Sequence, residues 1–243
     1  MGGDAHRAMI DRPPAYAQGS AMPDGASAPV ESTPTARRWR RRADARPAEI
    51  LDAALDVFAQ KGYAAARLED VAQAAGVSKA AIYLYFADKA ALLRAVIADT
   101  RRESIEAAQS LLASAPGGAM ETLAKVLSLV QARILETKRA AIPTILAGAA
   151  GQFPELARYY HDEIVEPGFA LLEALIARGQ KRGEVRLEPP RALAQQIVGP
   201  MLFALFHRTI FEPAGARPLD LDRFVQDHLA AIGRVLAPDP AAI

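Results

Sequence analysis

Cysteine and asparagine are both absent from the 243-residue chain. Without cysteine there is no disulfide framework, no thiolate-bound zinc or iron–sulfur cluster and no thiol nucleophile, and a reducing cytosol suits such a chain. Histidine is nearly absent too, with four scattered copies, and aromatic residues make up 6% of the sequence. Long apolar runs are also missing. The longest uncharged stretches, residues 140–154 and 192–207, fall short of the roughly 18 apolar residues that a membrane span requires. The N-terminus, MGGDAHRAMIDRPPAYAQGS, has no apolar core of a secretory signal, so the expectation is a cytoplasmic protein without a membrane partner. Arginine supplies 23 of the 29 basic residues, a bias that fits a GC-rich bacterial genome and carries no functional content.

Signatures of catalysis are likewise lacking. H-E-x-x-H, G-x-S-x-G, G-x-G-x-x-G and G-x-x-x-x-G-K-[ST] do not occur, and no enzyme activity or cofactor is expected. A carboxylate-bridged metal bundle would need Glu-x-x-His pairs, yet the residues three before His161, His207 and His228 are Arg158, Ala204 and Val225. His161-Asp162-Glu163 is no better a metal site, because adjacent helical residues do not share a face.

What is present is unevenly spread charge. The chain's net charge is +1, but residues 37–46 hold six arginines against a single aspartate. Residues 47–95 and 96–243 each come to −1. Residues 1–45 read as a disordered extension poor in branched aliphatic residues, carrying a basic arm at 37–42. Arg37, Arg38, Arg40, Arg41 and Arg42 of that arm suit a phosphate backbone or a narrow minor groove, or else a solvated tail.

From residue 47 onward the apolar spacing is helical throughout, which predicts an all-α protein. The first helix is expected to open at Pro47, to stripe Ile50, Leu51, Ala54, Leu55 and Phe58, and to stop at Gly62. A short helix over 68–75, a turn at Gly76, a Ser78 cap and a short helix over 79–85 make a helix-turn-helix, or a plain helical hairpin.

The dense run Ala53-Ala54-Leu55-Asp56-Val57-Phe58, Gly62-Tyr63, Asp70-Val71-Ala72, Gly76-Val77-Ser78-Lys79 and Ile82-Tyr83-Leu84-Tyr85-Phe86 with Lys89 closely resembles the DNA-binding domain of the TetR family. The resemblance covers residues 46–97 and implies a three-helix DNA-binding domain at 46–95, followed by a helical ligand-binding and dimerisation domain at 96–238. It places 79–85 as the recognition helix in the major groove, with Arg67, Ser78, Lys79, Ala80, Tyr83, Tyr85 and Lys89 on DNA. Lys79 would donate to guanine, Ala80 would meet a thymine methyl, and Lys89 would share a phosphate with the amides of the helix it opens. Tyr83 has two readings, DNA contact or packing. Ala66-Arg67 stands where the family commonly caps with Thr or Ser, and Ala80-Ala81 replaces the usual Gly-Thr. Few direct base donors remain, which points to readout through the arm and DNA shape. Glu69 is expected to favour the helix dipole, with acceptance from cytosine N4 as the other reading.

Beyond residue 88 the spacing predicts helices over 88–113, 120–137, 140–150, 155–182 with a break near Pro167, 191–211 and 219–236. In the helix over 191–211, Leu193, Ile197, Met201 and Ala204 form one apolar face and Val198, Leu202, Phe206 and Thr209 another. The second face serves either the same core or a homodimer partner, with Val198, Leu202 and Phe206 as interface residues. Polar candidates for an effector pocket are Gln131, Thr144, Gln152, Tyr159 and His207, among walls that suit an apolar or amphipathic molecule. The family resemblance implies a homodimeric repressor that a small effector releases from a palindromic double-stranded DNA operator. The other reading is a non-enzymatic helical adaptor, or a ligand-binding protein without specific DNA binding.

Overall fold

The computed structural model describes residues 34–114 and 117–238 and divides into two units, Met1–Pro47 and Ala48–Ile243. The expected disorder of the extension over residues 1–33 and the side chains of Arg37, Arg38, Arg40, Arg41 and Arg42 lie outside the described residues. Among the described residues there are nine helical stretches and no strand. Helix α1 spans Pro34–Lys61, α2 spans Leu68–Ala74 and α3 spans Lys79–Tyr85. They are followed by α4 (89–114), α5 (119–135), α6 (138–149), α7 (154–181), α8 (190–211) and α9 (Leu221–Leu236).

Two expectations about helix ends need correction. The first helix begins at Pro34 rather than Pro47, so the backbone over 34–45, expected to be disordered, is helical. Pro34 occupies a first turn, where no amide donor is required, and the Ala- and Arg-rich run after it has no breaker before Pro47. The expected break near Pro167 is also absent. Helix α7 passes through it by way of a five-residue π turn at His161–Val165, in which the Glu166 amide donates to the His161 carbonyl. Pro167 then falls in the first turn of the resumed α-helix, where a missing N–H costs least. Similar π turns sit in α4 at Arg102–Glu106 and close α5 and α8 at Gln131–Leu135 and His207–Phe211.

The core of the second unit consists of two apolar clusters. One gathers Ile50, Ala54, Leu55 and Phe58 of α1, Val71 of α2, Ile82 of α3 and Leu92, Leu93 and Ile97 of α4. The same cluster takes in Ile142, Ile145 and Leu146 of α6 and Leu156 of α7. The expected boundary at residue 95/96 therefore does not divide the packing, because α6 and the start of α7 complete the core of the N-terminal helices. The other cluster joins Leu123 and Leu127 of α5, Leu172, Leu175 and Ile176 of α7, Leu193 and Ile197 of α8 and Ile232 and Leu236 of α9. Helix α4 belongs chiefly to the first cluster and reaches the second through Leu111 and Leu112.

Among the described residues no helix is long and apolar enough to cross a membrane. Phe58 is almost completely enclosed, so Phe58→Ala should lower the unfolding free energy by about 3–5 kcal/mol in chemical denaturation. Gly76→Ala, which forces a side chain into the left-handed backbone at φ 65°, should cost about 1 kcal/mol in the same assay.

Candidate nucleic-acid interface

The geometry of the helix-turn-helix follows from a few local choices. Gly76, at φ 65°, turns the chain after α2, and the Val77 amide returns to the Ala72 carbonyl at 2.9 Å. The Ser78 hydroxyl oxygen accepts from the Ala81 amide at 3.1 Å and so caps α3. At the start of α2 the Asp70 carboxylate accepts from the Arg67 amide at 3.0 Å and from Lys61 Nζ at 2.7 Å, tying α2 to α1. The Lys61 ammonium and the Arg67 amide hold the Asp70 carboxyl below its ordinary range.

These contacts leave one face of α3 open. Arg67, Ser78, Lys79 and Ala80 are exposed, Tyr83 is 46% exposed, and Leu84 stands out at 86%. Ile82 and Phe86 point into the core, which fixes the orientation of α3. Tyr85 is only half-buried and leans on Phe86, with ring centroids 6.4 Å apart. Tyr83 is not enclosed in the core, and its hydroxyl donates to Glu69 Oε1 at 3.1 Å.

Glu69 has partners within the chain that neither of its sequence readings includes. Besides the Tyr83 hydroxyl, its Oε1 meets Lys79 Nζ at 2.8 Å, so one carboxylate oxygen engages both polar side chains of α3 that face outward. The hydrogen bond from Lys79, then those from the backbone and from Tyr83, hold the Glu69 carboxyl below its usual range. The same contact raises the Lys79 ammonium and the Tyr83 phenol. A spacing of ten residues between Glu69 and Lys79 spans a turn between two helices, so helical periodicity could not signal the pair.

Lys89 departs from its expected role. Its ammonium donates to three carbonyls of the α1–α2 connection, those of Tyr63 at 2.8 Å, Ala64 at 2.7 Å and Ala66 at 3.2 Å. It also lies over the Tyr63 ring, 4.8 Å from its centroid, and 5.7 Å from that of Phe153. An ammonium has three protons, and all three are used. Lys89 is therefore a turn-closing residue, and a phosphate would have to displace a carbonyl. Beneath it, Phe58, Tyr63 and Phe153 pack tilted and edge-on with centroids 5.4 and 5.0 Å apart, joining α1, the α1–α2 turn and the α6–α7 turn. Desolvation pushes the Tyr63 phenol up to about 12. A second tie is Lys138 of α6 on Asp56 of α1, at 2.6 Å.

The five polar residues expected in an effector pocket do not converge. Gln131 donates to Glu136 and Asp222, Thr144 donates to the Ala141 carbonyl of its own helix, and Gln152 is exposed in the α6–α7 turn. Tyr159 packs against the N-terminal core and Arg94, while His207 lies on α8 between Phe203 and Phe211. A helical register alone cannot tell which polar side chains point inward when a π turn rotates the face partway along.

Helix α8 does have the two expected faces. Leu193, Ile197, Met201 and Ala204 are buried, whereas Val198 and Phe206 are half-buried and Leu202 is exposed. Sequence reasoning missed the larger apolar residues beside them, Phe203 at 54% exposure and Ile210 and Phe211 at the end of the helix. The π turn at His207–Phe211 brings Ile210 and Phe211 round to the open side.

Comparison with known proteins matches the chain in two parts. Residues 50–96 match the family model described as bacterial regulatory proteins, tetR family, and residues 114–228 match that of a tetracyclin repressor-like C-terminal domain. The fatty acid metabolism regulator protein of Bacillus subtilis is 29% identical over 62% of this chain and 76% of its own length. The HTH-type transcriptional regulator YdeS of the same organism is 26% identical over 62% of this chain and 72% of its own. Among solved structures, the transcriptional regulator FadR from Bacillus subtilis in complex with stearoyl-CoA superposes with a TM-score of 0.63. It is 24% identical and covers 76% of this chain and 96% of that one.

Because its ammonium closes the α1–α2 turn, Lys89→Met should destabilise the protein by about 2 kcal/mol in chemical denaturation, an estimate for charge-assisted hydrogen bonds left unmade. The dependence of DNA binding on salt should stay unchanged for the folded variant, whereas a phosphate contact from Lys89 would make it shallower.

Proposed function

We propose that this chain, which belongs to the TetR family of bacterial regulatory proteins, represses transcription as a homodimer that a small amphipathic effector releases from a near-palindromic operator. The observation that carries the reading is the open face of α3, where Lys79, Ala80 and Tyr83 are exposed while Ile82 and Phe86 anchor the helix from behind. A helix held in this way can enter a major groove without distortion of its own domain. We assign base and backbone contacts to Arg67, Ser78, Lys79, Ala80 and Tyr83. Tyr85 and Lys89 stand behind them and support the helix. The basic segment 37–42 adds affinity more than specificity.

Dimerisation is supported by the open face of α8. Leu202, Phe203, Ile210 and Phe211 form an apolar patch continuous with half-buried Val198 and Phe206. Two such faces related by a two-fold axis would bury each other and set two α3 helices one DNA turn apart, about 34–36 Å. Phe203→Asp should convert the dimer into monomers in analytical ultracentrifugation and weaken operator binding at least tenfold, through loss of the second half-site.

The effector class is argued from composition and kinship. The body around the second cluster is Leu-, Ile-, Val- and Ala-rich, and a relative of similar fold holds stearoyl-CoA, an acyl chain with a charged head. An acyl thioester or a related amphipathic molecule fits this reading. Its signal has a physical route. The α6–α7 turn carries Phe153 onto Tyr63 and under Lys89, so a shift of α6 against α4 moves the α1–α2 turn and with it α3. This is a two-state coupling in which effector and DNA prefer different positions of one turn. Phe153→Ala should leave operator affinity within about threefold of the parent and reduce its response to the effector at least tenfold, the scale of a coupling free energy of 1–3 kcal/mol.

Binding of the full chain to a randomised duplex pool, with sequencing of the retained fraction, tests the whole reading. Enrichment of a near-palindrome with half-sites one turn apart is the expected outcome. Retention without any enriched sequence, disappearing steeply with salt, would instead fit an adaptor that touches only phosphate.

A further inference from the structure

A DNA-reading surface gains affinity from every positive charge it presents, and this one places a carboxylate at its centre. Glu69 lies in the first turn of α2, and its Oε1 is shared by Lys79 Nζ at 2.8 Å and the Tyr83 hydroxyl at 3.1 Å. The three groups are at the exposed side of the helix-turn-helix, and the ion pair is not enforced by burial. Two consequences follow from elementary chemistry. The charge of Lys79 is cancelled locally, and Tyr83 has only one proton, which is committed to Glu69. The surface then offers a generic phosphate less than its basic side chains suggest, and the carboxylate itself repels the duplex.

A base edge is different. The amino group of cytosine, N4, donates in the major groove, and a carboxylate is the side chain that accepts from it. An operator that supplies this donor lets Glu69 exchange partners, so that Lys79 and Tyr83 become free to contact DNA nearby. A duplex that supplies only phosphate at that position leaves the three side chains bound to one another.

We propose that Glu69 is a specificity-determining residue that withholds Lys79 and Tyr83 from non-operator DNA and releases them where the half-site presents a cytosine amino group. The inference rests on the reading that this face meets DNA. It adds that specificity arises here partly through a penalty against wrong sequences, which is an effective route where direct base donors are few.

The test compares the full-length parent with Glu69→Gln, which keeps the size of the side chain and removes its charge. Glu121→Gln serves as a control, since Glu121 is an exposed carboxylate on α5 paired with Lys125 at 2.6 Å. Each protein is titrated onto a mixed-sequence duplex and onto the duplex that the parent enriches from a randomised pool, at several salt concentrations. Glu69→Gln should bind the mixed duplex more tightly. Its plot of log affinity against log salt should steepen by about 0.9 per head, the value of one added phosphate contact. The ratio of enriched to mixed-sequence affinity should fall about tenfold, within the range of a single misread base pair. The pool enriched by Glu69→Gln should lose one cytosine preference per half-site. Glu121→Gln should match the parent.

Equal salt slopes and equal base preferences in parent and Glu69→Gln overturn the proposal, as does a steepening in Glu121→Gln of the same size, which would trace the effect to net charge. A parent that retains no duplex at all overturns the DNA-binding reading first, and this proposal with it.

Discussion

One ammonium group, that of Lys89, sits where three parts of the molecule meet. The turn between α1 and α2 leaves carbonyls without helical partners, and three of them, those of Tyr63, Ala64 and Ala66, converge on Lys89 Nζ. Such convergence would be costly unless a cation answered it, because unpaired carbonyls beside a buried ring carry the full desolvation penalty. Lys89 comes from the first residue of α4, next to Asp88, whose carboxylate caps that helix by accepting from Ala91 at 2.7 Å. The start of α4, the end of α1 and the approach to α2 are thus one electrostatic assembly. The position of α3 depends on it through α2, which holds α3 by the short turn at Gly76 and by Glu69 on Lys79 and Tyr83, with Ile82 and Phe86 anchored beneath.

The aromatic cluster under that cation extends the dependence beyond the head. Phe153 reaches Tyr63 edge-on, with an interplanar angle of 80°, and its residue lies at the corner between α6 and α7. Lys138 on Asp56 and Arg139 on Asp99 make two more links from α6 to the head, each at 2.6 Å. The first of these pairs is exposed and contributes little to stability, whereas the second is partly buried; both fix direction. The π turns of α4 and α7 add local slack at 102–106 and 161–165, where the two helices lie against each other.

Much of this was legible in the sequence. Helices α2 and α3 begin within a residue of where their caps place them, because Ser78 and Gly76 are strong local signals whose effect does not depend on distant packing. The all-α class and the buried face of α8 follow from periodicity in the same way, and the outward placement of Lys79 and Ala80 is what the family resemblance implies. Three matters were not legible, for separate reasons. The start of α1 was misread because a proline is compatible with both a helix start and, at a modest cost, a helix interior. The partners of Lys89 and Glu69 within the chain are not legible because they lie across turns, at separations that no helical period encodes. The effector candidates scatter because they come from four helices and a turn, and a polar residue carries no sequence mark that separates inward from outward; Gln131 and His207 also lie in π turns, which rotate the register.

The apolar cluster that joins α1–α4 with Ile142, Ile145, Leu146 and Leu156 bears on how such regulators can be recombined. Head and body are often treated as cassettes, to be cut between them and exchanged among relatives. Here a cut after α4 would leave the head with an open side where α6 belongs and give the body a helix pair with an unmatched apolar surface. A transplanted head would have to bring the α6–α7 corner with it, or meet in its new host a corner that presents the same shapes to Tyr63 and Phe58. In this chain the portable unit is therefore discontinuous, and its inheritance would be expected to follow packing rather than chain order.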